Sequence, residues 1–217
     1  ACFAVLVSYV GYFAYCNRRL NAKTLLLCLP FMLVAVNNFP YTAYLTGLFT
    51  LSATAIEVVL YVTMCISIGI FEELFFRGVI SVYLIRKFGK TRRGLVGAVL
   101  LSSAIFALSH LINLVDGASV GATLLQVGYS FLIGGMLTVC LLICGNIWVC
   151  ATIHTVFNIC GMSLNYFASG DTLDTATIVI TAVIGVAVAI YAIVYLAKCN
   201  FGLVQEKFCV KVRENNN

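Results

Sequence analysis

The feature that most constrains this chain is its series of long, continuous apolar stretches, interrupted only by short charged or turn-forming segments. Of its 217 residues, 62% are hydrophobic, only 10% are charged and 2 are proline. A soluble domain carries about 25% charged residues. The composition therefore excludes disorder, a nucleic-acid-binding domain and an ordinary soluble enzyme. In lipid, a chain must satisfy its own backbone, which leaves helices or closed barrels. A barrel would show short alternating segments, and the runs here are long and unbroken. The expected fold is all-α, a polytopic helical membrane protein with about seven to eight spans at about 20 residues each.

Reading the apolar runs against the charges places spans at 1–16, 24–36, 51–84, 94–115, 122–144, 147–168 and 175–197. The first run begins at Ala1, already apolar, and reads as a helix whose beginning is missing. Residues 41–50 carry no charge and suit a short interfacial helix, given Tyr41 and Tyr44. Cytoplasmic loops concentrate Lys and Arg. With the segment 17–23 inside, alternation puts the basic loop 86–93, the turn at 145–146 and the tail inside as well. Every Lys and Arg except Arg77 then falls on the cytoplasmic side, whereas Asp116, Asp171 and Asp174 fall outside. The whole of 1–217 reads as one integral-membrane domain. Residues 1–50 form amino-terminal helices without a motif, 51–168 a motif-bearing core, and 169–217 the last helix and tail. The mixed apolar and basic string 205–213 suits the inner membrane face and its anionic lipid. The 10 cysteines lie mostly within apolar runs and form no CxxC pair, so they read as small hydrophobes. Gly134, Gly135, Gly185 and Ala189 suit close helix packing.

An ionisable group at bilayer depth is costly and marks a functional site by default. Glu57, Glu72, Glu73 and Arg77 fall in the third span, His110 in the fourth, and His154 and Asn158 in the sixth; the chain has only 2 histidines. Glu57 lies near the outer helix end and reads as interfacial. Glu73 and Arg77 are one helical turn apart and can pair. Glu72 points about 100° away from that pair and, with no obvious partner, suits a general base. Phe106 and His110 are also a turn apart. So are His154 and Asn158, which can aim two hydrogen-bond donors at one point, as an oxyanion hole requires. One carboxylate and two imidazoles on three helices suggest water activation in a membrane cavity. Two histidines and a glutamate also form a common zinc set, here Glu72, His110 and His154, although no HExxH spacing is present.

At these clusters the sequence resembles the CPBP intramembrane proteases, the Abi or type II CAAX-protease-like family. The family pattern is EExxxR, then FxxxH, then HxxxN or HxxxD, on successive membrane helices. Glu72-Glu73-Leu-Phe-Phe-Arg77, Phe106-Ala-Leu-Ser-His110 and His154-Thr-Val-Phe-Asn158 match it in order. The resemblance implies helices around a cytoplasm-facing catalytic cavity and endopeptidase action near the membrane surface. It implies Glu72 as the base that activates water, His110 as a group holding that water, His154 and Asn158 as the oxyanion hole, and Glu73 with Arg77 as a geometry-setting pair. A glutamate mechanism without a cofactor is preferred, with zinc as the second choice. The expected partners are membrane lipids and a peptide or protein with a membrane-proximal or lipidated end, as in CAAX processing or bacteriocin-related roles. The expected location is a bacterial plasma membrane. A proton-coupled transporter and a non-catalytic immunity protein are the rivals. In straight helices Glu72 and His154 would lie at different depths, so a break of the third helix at Gly78 is expected.

Overall fold

The computed structural model describes residues 18–170 and 175–208. The expected span at 1–16 lies outside them. Helix α1 is Ala22–Asn37, opened by a capping box in which Asn21 Oδ1 accepts from the Thr24 amide at 2.9 Å. A short helix α2, Tyr41–Leu45, leads into strand β1, Phe49–Leu51. Helix α3, Ala55–Glu72, is opened by a second capping box, Thr54 with Glu57. Glu57 is thus a capping residue at the start of α3, a role its reading as an interfacial residue did not include. The chain continues through a π-helical segment, Glu73–Ser81, into α4, Val82–Phe88. Then come α5 (Arg92–Ser109), a 3₁₀ turn (His110–Leu114), α6 (Val120–Cys144), α7 (Ile147–Phe167), strand β2 (Ala168–Gly170), α8 (Thr175–Lys198) and α9 (Phe201–Phe208).

The all-helical membrane architecture is present, but the expected seven to eight spans are not supported. Among the described residues four helices are long and apolar enough to cross a bilayer: Ala55–Phe88, Arg92–Leu114, Val120–Cys144 and Val179–Lys198. Two others, Ala22–Asn37 and Ile147–Met162, are apolar but shorter. Ala22–Asn37 has only 16 residues, short of the about 20 that cross the hydrocarbon layer, so an apolar run read from the sequence need not be a full span. The interfacial helix expected over 41–50 ends at Leu45 and gives way to β1. This strand pairs antiparallel with β2, Phe49 opposite Gly170 and Leu51 opposite Ala168. Each strand is only 3 residues long, too short to show a periodic signal.

The bundle core is centred on α6, whose carboxy-terminal half is buried on all sides, with α1, α5, α7 and α8 around it. Gly134 is packed against Ser103 of α5, as expected of a glycine at a helix contact, whereas Gly185 faces open space. The two ends of the bundle differ in chemistry. At one end the Arg18 amide donates to Gly145 O and Arg86 to Phe208 O. There too, Arg92 donates to the carbonyls of Leu196, Ala197 and Cys199 that end α8. Cations belong at helix carboxy termini, and the basic segments therefore gather on one side, as alternation requires. The other end carries the small sheet and aromatic contacts among Phe39, Tyr41, Tyr44 and Phe49. The string 205–213 is described as far as Phe208: α9 packs into the basic end of the bundle with Val204 and Phe208 buried, and the rest of the string lies outside the described residues.

The third helix does not break at Gly78. It runs without interruption from Ala55 to Phe88 and widens to i→i+5 bonding over Glu73–Ser81. Ser81 Oγ closes this segment by donating to Phe76 O at 2.9 Å. The depth mismatch is resolved at the helix ends. Gly78 opposes Ile147, the first residue of α7, so the chain beyond Gly78 projects roughly 15 Å past that point at 1.5 Å per residue. There α4 buries Val82, Leu84 and Ile85 and meets α9.

Candidate active site

The widened helix, α5 and α7 bring most of the expected polar residues to one place. Glu73 and Arg77 are both fully buried, and Arg77 NH1 lies 2.8 Å from Glu73 Oε1. The same oxygen accepts a 2.8 Å hydrogen bond from His154 Nδ1. A carboxylate oxygen can only accept when ionised, so Nδ1 carries the proton of this bond. The other nitrogen, His154 Nε2, lies 3.6 Å from Glu72 Oε2. That is beyond a direct hydrogen bond and suits a bridging water. His154 is therefore flanked by the two adjacent glutamates, one on each ring nitrogen.

The two glutamates differ in access. The Glu72 side chain keeps 24% of its exposure, whereas Glu73 has none. Glu73 Oε2 and Arg77 Nε have no hydrogen-bond partner among the described residues. Buried polar atoms are nearly always paired, so this centre holds polar capacity that the side chains around it do not use. Arg77 is further held by Gly134 O at 3.5 Å and by the Phe106 ring, whose centroid lies 4.3 Å from its guanidinium carbon.

Phe106 organises the site. The rings of His110 and His154 stand nearly perpendicular to it, at centroid distances of 5.0 and 5.9 Å. His110, at the end of α5, is half-buried, and its Nδ1 bonds Phe106 O at 3.0 Å. A carbonyl only accepts, so Nδ1 donates and, in the neutral ring, Nε2 is left as an acceptor. Asn158 is buried one turn beyond His154 on α7.

Two supports escaped sequence reasoning. Tyr61 Oη lies 3.0 Å from Asn158 O and 2.7 Å from Ile159 O, tying α3 to α7 beside Asn158. Gly69 packs against α7, where an added Cβ would lie 3.1 Å from the Thr155 amide, 3.2 Å from Ala151 O and closer still to the Thr155 hydroxyl. This is one turn before Glu73 and lets the carboxylate reach His154. A small residue three positions before the acidic pair was the available signal.

The zinc set named from sequence does not come together. Among the described residues, the one group of three His, Cys, Asp or Glu ligand atoms lying mutually within 4.8 Å is Cys28, Cys140 and Cys144. Glu72, His110 and His154 do not form such a group, so no step below is routed through a metal at them.

The fold and centre define a helical integral membrane protein with a buried carboxylate, guanidinium and imidazole cluster. Residues 54–160 match the family model described as type II CAAX prenyl endopeptidase Rce1-like. The chain belongs to that family, which is one of peptidases, and the matched segment contains all of the motif residues. No curated protein and no solved structure matches the chain.

Proposed function

We propose that the protein is an intramembrane endopeptidase that hydrolyses a peptide bond near the membrane surface with a water activated by Glu72. The observation that carries this reading is His154 set between Glu73 at 2.8 Å and Glu72 at 3.6 Å. Glu72 is the accessible carboxylate and takes a proton from water. The oxygen attacks the scissile carbonyl carbon, the C=O bond opens, and the negative charge passes to the carbonyl oxygen. His154, carrying a proton on each ring nitrogen in this step, donates from Nδ1 to Glu73 and from Nε2 to that oxygen, and the Asn158 amide is the second donor. The C–N bond then breaks, and the proton held by Glu72 passes to the leaving amine. His110 Nε2 accepts from the attacking water and positions it. Glu73 and Arg77 touch neither water nor peptide and act as positioning residues. Proton transfer by a placed carboxylate contributes about 10² to 10⁴ in rate, and each oxyanion donor about 10² to 10³.

The substrate class that suits this site is a peptide delivered along the membrane, with a membrane-proximal or lipidated end. CAAX-type processing and trimming of a bacteriocin-related or signalling peptide both fit this description. A bacterial plasma membrane is the proposed location. The test is cleavage of a membrane-tethered peptide library by wild type, Glu72→Ala and His154→Ala, with and without a strong chelator. Cleavage by wild type alone, unchanged by chelator, is expected. Equal cleavage by all three proteins refutes the mechanism, and cleavage abolished by chelator while the protein stays folded and monodisperse returns the metal alternative. A protein that cleaves nothing but transports or confers immunity supports the rivals.

A further inference from the structure

Independently of the peptidase reading, we infer that Cys28, Cys140 and Cys144, with Cys150 beside them, form a buried tetrahedral thiolate site for a zinc ion that locks α1 onto α6 and α7. The three sulfurs lie within 4.8 Å of one another, and Cys28 Sγ and Cys140 Sγ are 3.5 Å apart. At a Zn–S bond of about 2.3 Å, tetrahedral sulfurs stand about 3.8 Å from each other. The cluster is therefore near the spacing that binding requires. It is far from the S–S bond of about 2.05 Å that a disulfide needs. Cys150 is fully buried, and its Sγ lies 3.9 Å from the same Asn146 carbonyl that is 3.3 Å from Cys144 Sγ; it stands at the edge of the group and supplies the fourth sulfur on a side-chain rotation. A site closed by four cysteines has no open position and serves structure.

Two features outside the thiols favour the charged form that a metal needs. The Asn146 amide donates to Cys144 Sγ at 3.4 Å, and such outer contacts tune thiolate ligands. Gly145 makes this possible because its left-handed backbone, φ +62°, folds the chain back over the end of α6. Lys207 Nζ, meanwhile, donates to Ile143 O at 2.9 Å and sets a positive charge next to Cys144. Binding releases one proton per thiol and leaves the zinc tetrathiolate at net −2, which Lys207 partly offsets. Plain core packing explains why each cysteine is buried. It does not explain why three from two helices stand within 4.8 Å of one another with a fourth at their edge. The site also lies under the candidate active site, since Cys150 and His154 are one turn apart on α7.

The test uses the full chain, purified in detergent under reducing conditions, stripped of metal and titrated with cobalt(II) and then zinc(II). The expected result is one saturable equivalent, with thiolate-to-cobalt charge-transfer and tetrahedral d–d bands that zinc abolishes. Cys28→Ser and Cys140→Ser should each weaken binding at least tenfold, whereas Cys65→Ser and Glu72→Gln should keep the bands. Folded, monodisperse wild type without a charge-transfer band overturns the proposal, whatever the variants do. So does a band that survives Cys140→Ser, one lost in Glu72→Gln, binding of copper(I) but not cobalt, or a native disulfide among these residues found by mass spectrometry.

Discussion

Removing the Glu73 carboxylate strands the Arg77 guanidinium where neither water nor another acid reaches it. Breaking a buried pair in this way costs about 3–5 kcal/mol. Glu73→Gln should therefore lower the detergent-phase unfolding temperature strongly as well as abolish cleavage. Glu72 carries a different burden: it is part-exposed, and its nearest charged partner is 3.6 Å away. Glu72→Gln should change stability by no more than about 1 kcal/mol while reducing cleavage by about 10² to 10⁴. Thermal unfolding and cleavage rates measured on the two variants side by side check the division of labour. If Glu72→Gln unfolds as readily as Glu73→Gln, the accessible carboxylate is structural. The adjacent acids could be read from the sequence, and so could the pairing of Glu73 with Arg77. The engagement of His154 by both glutamates could not, because α7 lies some eighty positions along the chain and only packing sets its rotation.

At the scale of the element, two contacts decide whether the long third helix presents its acids correctly. Gly69 allows α3 to approach α7 within the reach of a single methyl group. Gly69→Val forces an overpacked contact, costing about 1–3 kcal/mol. It should also separate Glu73 from His154, so that stability and cleavage fall together while Gly97→Val, at a position with nothing within 4 Å, changes neither. At the basic end, Arg92 closes three carbonyls of the α8 terminus. Hydrogen bonds from a charged group contribute about 1.5–3 kcal/mol. Arg92→Ala should therefore loosen α8 first, seen as faster amide exchange over 192–199 than in α6. The π-helical stretch was not foreseen, since no residue type marks it: Ser81, Ser102 and Thr138 satisfy one another across three elements only after those elements are assembled.

For the molecule as a whole, the gathering of Arg18, Arg86, Arg92 and Lys207 at one end and of the aromatic and two-stranded cap at the other defines an orientation. A membrane-impermeant maleimide applied to intact cells should label Thr46→Cys and spare Lys90→Cys, with the order reversed in inverted vesicles. Labelling is read peptide by peptide against the native cysteines, and identical labelling of both sites from one side would contradict the orientation.

The order of apolar runs, the basic side of the membrane and the three motif-bearing clusters follow from local composition and helical spacing, which are properties of short windows of sequence. The number of helices long enough to cross, the continuous passage through Gly78, the small sheet and the meeting of Cys28 with Cys140 and Cys144 depend on which helix faces find each other. That is settled by close packing across the bundle, where a single glycine or a ring such as Phe106 sets the distance between groups that the sequence leaves far apart.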